Sequence, residues 1–84
     1  MMSLTDRATA ARQDSSVRWM SAHGHPGYAR EICDLQDHMW EIIGEAGRNW
    51  QFCEFTVAQV EKTVREMEEV AMAAEDRIRD WASD

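Results

Sequence analysis

Apolar residues recur along positions 53–81 at steps that alternate between four and three. Such steps place side chains on one face of an α-helix and favour packing against other helices along that face. Asn49 is a suitable N-cap residue, and no glycine or proline interrupts the stretch that follows. The pattern predicts a helix over residues 49–82. Its packing face consists of Cys53, Val57, Val60, Val64, Met67, Ala71, Ala74, Ile78 and Trp81.

A second helical face with the same alternating steps precedes the first. It predicts a helix over residues 26–46, with Pro26 in the first turn, where proline is tolerated. Gly44 and Gly47 then predict a turn, with Gly47 as its left-handed residue. The apolar residues of this face are Tyr28, Ile32, Leu35, Met39, Ile42 and Ala46.

The N-terminal part of the chain predicts a weaker third helix. Ser3 and Asp6 are spaced as in a capping box, which indicates a helix over residues 5–20. Residues 21–27 form a loop, and the sequence leaves open whether residues 1–25 are docked or mobile. With one Pro and four Gly in 84 residues, a sheet of many short strands is disfavoured. We therefore expect one all-α domain over residues 1–84, a helical hairpin completed as a three-helix or dimeric bundle.

The two long helices differ in length, which predicts an uncovered surface. At 1.5 Å per residue they span ~30 Å and ~50 Å, so the longer one extends past its partner. Pairing about a turn at 44–49 sets Met39 opposite Val57 and leaves the C-terminal part of the longer helix without cover. The N-terminal helix can reach this overhang, but it offers mainly Val17, Trp19 and Met20 to cover it. We therefore expect incomplete cover, and the remaining surface to bind a second copy of the chain, as a homodimer, or another protein. The expected interface residues are Trp19, Val70, Ala71, Ala74, Ile78 and Trp81.

The charge is negative and unevenly distributed. The net charge is −7, and fourteen of the sixteen acidic residues follow position 30, which argues against general affinity for nucleic acids. Four glutamates recur every seven residues beside the apolar face of the longest helix. This acidic stripe is either a solvated flank or a surface for a basic partner, and it consists of Glu54, Glu61, Glu68 and Glu75.

The loop before the second helix offers a different kind of site. His23, His25, Tyr28 and Arg30 supply imidazole, phenol and guanidinium groups near a helix N-terminus, where anions bind readily. This composition raises the alternative of an anionic-nucleotide site, against the simpler interpretation of a plain connection.

No familiar catalytic or metal motif occurs in the chain. It contains no GxSxG, Walker or GxGxxG sequence, and we expect neither catalysis nor a cofactor or metal. One helix face does carry side chains able to bind a metal: Asp34, His38, Glu41 and Glu45. Cys33 and Cys53 are expected to be buried thiols too far apart to pair. Without an apolar run long enough to cross a membrane or to form a signal peptide, a cytoplasmic location is expected.

These observations favour a small acidic helical module that binds another protein, as an inhibitor or adaptor. Accessory proteins of phages and mobile elements are similar in size and charge, and no motif supports a closer analogy. The nucleotide-binding alternative rests on the loop of His23 to Arg30.

Overall fold

The computed structural model describes residues 2–49 and 53–83, and it is all-α. The helices are α1 (Leu4–Arg12), α2 (Ser15–Ala22), α3 (Gly27–Arg48) and α4 (Glu54–Ser83), with no strand among the described residues. The all-α class expected from the periodicity is confirmed. Within the described ranges, no helix is both long enough and apolar enough to cross a lipid bilayer.

The helices form an elongated bundle in which α1 and α2 act together as one broken helix. The start of α1 lies beside Val57, near the beginning of α4, and Trp19 of α2 contacts Trp81, near its end. The α1–α2 segment therefore runs parallel to α4, and α3 packs against both in the opposite direction. The bundle measures 51 × 23 × 16 Å.

The core lies along the line where these helices meet. Its six largest fully buried side chains come from α2, α3 and α4, and they are Met20, Ile32, Met39, Met67, Val17 and Val64. Full burial of one such side chain contributes about 1.5–3 kcal/mol. Alanines from α1 and α4 complete the core, and the absence of bulk at Ala8, Ala11, Ala71 and Ala74 suits close packing between helices.

The predicted N-terminal helix over residues 5–20 is in fact two helices. Ser3 caps α1, as the sequence predicts, by accepting a hydrogen bond from the Asp6 backbone N–H at 3.1 Å. The first helix ends at Arg12, and Asp14 begins the second by accepting from the N–H groups of Ser16 and Val17. An aspartate ahead of two serines is a strong N-cap signal, and it divides what the composition alone presents as one helix.

The predicted turn at residues 44–49 is wrong. Helix α3 continues through Gly44 and Gly47 to Arg48, and Asn49 is its C-cap rather than the N-cap of α4. Glycine is only weakly unfavourable within a helix, so packing of the flanking apolar residues outweighs it. Residues 50–52, where α4 was expected to begin, lie outside the described residues.

Because α3 extends to Arg48, its pairing with α4 shifts by about one and a half helical turns. Ile42 and Ala46 line the same cleft as Thr56 and Gln59, whereas Val57 is 52% exposed and does not cover Met39 as predicted. At the other end of α4, Ala71 and Ala74 are buried beneath the α1–α2 segment. The expected overhang is therefore largely covered within the chain.

Candidate functional site: an aromatic cluster at one end of the bundle

Five side chains from α2, the α2–α3 loop and α4 meet at one end of the bundle. The Trp19 and His23 rings are stacked, with centroids 3.8 Å apart and an interplanar angle of 15°. The Trp81 ring lies 6.2 Å from Trp19 and 5.3 Å from His25. The guanidinium carbon of Arg77 lies 5.3 Å from the Trp81 ring centroid, within cation–π range. These residues, Trp19, His23, His25, Arg77 and Trp81, are called the aromatic cluster below.

The backbone at the end of α2 fixes the two histidines. The N–H of His25 donates to the Met20 carbonyl at 2.8 Å, which closes the helix in the manner of a Schellman motif. Gly24 supplies the left-handed residue that this closure needs, with φ of 86°. The Nδ1 atom of His23 lies 2.8 Å from the Trp19 carbonyl oxygen, so its ring is held over the indole. The cluster is thus built on a defined helix end.

The cluster is partly solvent-exposed although its members contact one another. Trp19 is 41% exposed and Trp81 is 38% exposed. Arg77 forms no salt bridge with any carboxylate in the described part of the chain, whereas Arg7, Arg65 and Arg79 all do. Half-exposed tryptophans beside an arginine without a carboxylate partner match the residue types that dominate binding energy at protein interfaces.

The residues of the predicted interface separate into two groups. Trp19 and Trp81 are together in the aromatic cluster, and Ile78 and Val70 are partly buried at the edge of the core. Ala71 and Ala74, expected on an open surface, are core residues because α1 and α2 cover them. A partner can therefore reach the two tryptophans, whereas Ala74 is fully enclosed and Ala71 keeps only 7% of its surface exposed.

The four residues of the predicted nucleotide loop do not all converge on one site. His23 and His25 join the aromatic cluster, whereas Tyr28 packs against the core and Arg30 is exposed. The shallow cleft beside the loop is lined by His25, Gly27, Tyr28 and Glu31. Because its lining carries a carboxylate and no arginine or lysine, this cleft is poorly suited to phosphate.

Three of the four glutamates of the acidic stripe pair with arginines. Glu61 bonds to Arg65 at 3.0 Å and Glu75 to Arg79 at 3.4 Å, both within α4. For Glu54, the described residues provide no salt-bridge partner. The local charge of the stripe is therefore much lower than four glutamates alone would give.

Glu68 differs from the other members of the stripe because its partner is on another helix. Arg7 of α1 donates from two guanidinium nitrogens to the two carboxylate oxygens of Glu68. This hydrogen bonding lowers the pKa of Glu68 and raises that of Arg7. On the α3 side, Arg12 donates to the Gln36 side-chain oxygen at 2.7 Å. These bonds, together with the buried Ala8 and Ala11, show that α1 is docked, which the sequence left open.

The remaining candidates do not assemble into a site. Across residues 2–49 and 53–83, no group of three or more His, Cys, Asp or Glu side chains is arranged to hold a metal. His38 lies 3.8 Å from Glu41 on the exposed face of α3. Cys33 and Cys53 are both free.

The expectation that both cysteines are buried is wrong. Cys33 is partly exposed, and Cys53 is exposed just before α4. The pKa of Cys53 is lowered, chiefly because the backbone N–H of Thr56 donates a hydrogen bond to its sulfur. Because Cys53 and Val57 are both exposed, the apolar face of α4 is buried only from Val60 onward.

Sequence reasoning did not identify Arg77 as a cluster member and did not link the histidines to the tryptophans. Arg77 precedes Trp81 by four residues, and Trp19 precedes His23 by four, so each pair shares a helix face. That spacing was the available signal. The parallel placement of α2 along α4, which unites the two pairs, depends on tertiary packing.

Comparison of the chain with protein-family models, with curated proteins and with solved structures found no match.

Proposed function

We propose that this protein is a non-enzymatic module that binds another protein through the aromatic cluster. The single observation that carries the proposal is the half-exposed pair Trp19 and Trp81, held beside Arg77 at one end of the bundle. Tryptophan and arginine are enriched at binding hot spots, where a partner removes their remaining surface from water. The role would be that of an inhibitor or an adaptor, acting by occupying a partner's surface.

The shape of the molecule supports this proposal. The chain exposes 5979 Å², whereas a compact monomer of 9.7 kDa exposes about 5,100 Å². Its radius of gyration is 14.5 Å, against about 12 Å for a compact domain of this length. A thin bundle therefore keeps surplus surface in contact with water. Binding a partner would remove part of it.

A homodimer through the same cluster is a narrower form of the proposal. It replaces the homodimer expected along the overhang, because Ala71 and Ala74 are buried within one chain. Multi-angle light scattering over a wide concentration range tests it. A dimer whose dissociation constant rises in the Trp81→Ala variant would support this form, and a monomer at every concentration would exclude it. The cytoplasmic location expected from the sequence stays a prediction.

The test of the main proposal compares cluster tryptophans with a matched tryptophan elsewhere. Trp40 is also exposed, and it lies 13 residues into α3 from Gly27, about 20 Å along the helix. Affinity capture from a lysate of the source organism is performed with wild type, the double variant Trp19→Ala/Trp81→Ala, and Trp40→Ala. We expect a protein that wild type and Trp40→Ala retain and that the cluster variant loses.

Circular dichroism must show that all three proteins are folded at the temperature used. Retention of the same proteins by the folded cluster variant would contradict the proposal. Capture of no protein by wild type would contradict it as well.

A further inference from the structure

A second surface lies on the side of the bundle, in the groove between α1 and α4. The groove has a volume of about 600 Å³. Its lining includes the small residues Ala10, Ala11 and Ala71, of which Ala11 and Ala71 are buried and form the floor. Met2 and Met72 rise at its edges and are 54% and 61% exposed. Two exposed methionines beside an alanine floor form an apolar trough that the chain's own helices do not fill.

The charged groups of this groove are predominantly acidic. Its lining includes the carboxylates of Asp14, Glu68 and Glu75 and a single cation, Arg7. Arg7 forms a salt bridge with Glu68. The net charge of the whole chain is −7. Asp14 accepts the α2 capping bonds through Oδ1, and Glu75 uses Oε1 for Arg79. Each of the two carboxylates therefore has a second oxygen outside these bonds.

We propose that the groove binds a basic amphipathic helix of a partner protein. An apolar helix face fits against alanines and flexible methionine side chains, which adapt readily to different partners. Lysines or arginines flanking that face would meet Asp14 and Glu75, and the overall negative charge would steer a cationic helix toward the groove. The α1 stretch from Met2 to Asp14 spans about 18 Å, enough for roughly three turns of a partner helix.

This surface is separate from the aromatic cluster, which no residue of the groove joins. Two separate surfaces on one small chain are what an adaptor requires, because it must hold two partners at the same time. Two separate binding surfaces therefore favour the adaptor role over simple inhibition, and only that choice of role rests on the proposed function.

The probe is a fluorescein-labelled 18-residue peptide of leucine and lysine at helical spacing, measured by fluorescence anisotropy at physiological salt. A peptide of the same composition in scrambled order, and one with glutamate replacing lysine, serve as ligand controls. We expect binding of the amphipathic basic peptide at least tenfold tighter than of either control. Equal affinity for the scrambled peptide would overturn the proposal, since it would show attraction by charge alone.

The protein variants are matched in charge. Met72→Lys places a cation at the groove, and Phe55→Lys introduces the same cation at an exposed apolar residue outside it. We expect Met72→Lys to weaken binding at least tenfold and Phe55→Lys less than threefold. Equal weakening by both would overturn the groove as the site.

Trp81→Ala separates the two proposals. If the groove acts independently, this variant binds the peptide as tightly as wild type, whatever the outcome of the capture experiment. A tenfold loss in Trp81→Ala with no loss in Met72→Lys would place the peptide on the aromatic cluster and overturn the assignment of the groove.

Discussion

The two ends of α4 differ in what covers them. Near its start, Phe55 and Val57 are large apolar residues that remain exposed, although α3 and the beginning of α1 lie nearby. Further along, Ala71 and Ala74 are small and buried, because the α1–α2 segment packs over them. Residue size therefore does not determine burial in this bundle. Small side chains let the α1–α2 segment approach α4 closely, whereas Phe55 and Val57 keep most of their surface in water.

The largest expected difference between the two ends of α4 comes from placing a charge on its covered part. Ala74→Asp buries a carboxylate without a partner, and we expect it to cost about 3 kcal/mol or more of the free energy of unfolding. Ala73→Asp makes the same change one residue earlier, at an exposed position, and should cost less than about 1 kcal/mol. Urea unfolding followed by circular dichroism measures both. Similar losses in the two variants would show that the α1–α2 segment does not cover Ala74.

Two valines on α4 test the start of the covered region. Val64 is fully buried and Val57 is half exposed, seven residues earlier on the same side of the helix. We expect Val64→Ala to cost about 1–3 kcal/mol, because it removes buried methyl groups and leaves a cavity. Val57→Ala should change the free energy of unfolding by less than about 0.5 kcal/mol. If Val57→Ala were the more costly variant in chemical unfolding, the shifted pairing of α3 with α4 would be wrong.

The covered half depends on the turn that follows α2. Gly24 has a positive φ and open space around its Cα, so an added Cβ meets backbone strain but no neighbour. We expect Gly24→Ala to cost about 1 kcal/mol. Gly27 lies in α3, also with open space, and Gly27→Ala should stabilise by up to about 1 kcal/mol. Thermal melts should therefore shift in opposite directions, and shifts of the same sign would contradict the turn geometry.

The smallest effect should come from the ion pair between α1 and α4. Because Arg7 lowers the pKa of Glu68, the ionised carboxylate stabilises the folded state at neutral pH. This contribution is present above the unfolded-state pKa, about 4.3 for glutamate, and is lost as pH falls through the lower folded-state value. We expect Glu68→Gln to lower Tm slightly at pH 7.

The pH series supplies the control for this last prediction. The difference in Tm between wild type and Glu68→Gln should shrink as the pH falls below about 4. Glu61→Gln removes a pair that lies within α4 and should leave the docking of α1 intact. A difference for Glu68→Gln that grows on acidification would contradict the assigned direction of the pKa shift.

The amino-acid pattern was most informative where packing is local and periodic. The steps from Val60 to Ile78 and from Tyr28 to Ala46 correctly identified the sides of α4 and α3 that face the core. The same reasoning missed the break at Asp14 and the continuation through Gly47. At Asp14 the N-cap hydrogen bonds favour a new helix start, and at Gly47 the low helix propensity of glycine favours a helix end. Each of these local preferences is worth only about 1 kcal/mol, so packing of the helices decides whether it prevails.

The candidate site was less accessible from sequence. Trp19 and Trp81 were expected at an interface and His23 and His25 in a loop, but their meeting requires α2 to lie alongside the end of α4. That placement depends on the burial of Val17 and Met20 of α2 in the core, together with the contacts of α1, whose Arg7 pairs with Glu68, 61 residues away. Helical periodicity indicates which side of a helix faces the core, but it does not indicate which distant helix packs against that side.

The parallel arrangement of α1 with α4 also has a consequence for the order of folding. Helices α3 and α4 are neighbours in the chain, so their pairing closes a short loop, whereas docking of α1 joins segments about 60 residues apart and closes a much longer one. We expect the hairpin of α3 and α4 to form first and the α1–α2 segment to dock last and to open first. Native-state hydrogen exchange should then show lower protection in α1 than in the central turns of α3 and α4. Transient opening of this segment would uncover Ala71 and Ala74 and return the molecule, briefly, to a two-helix form.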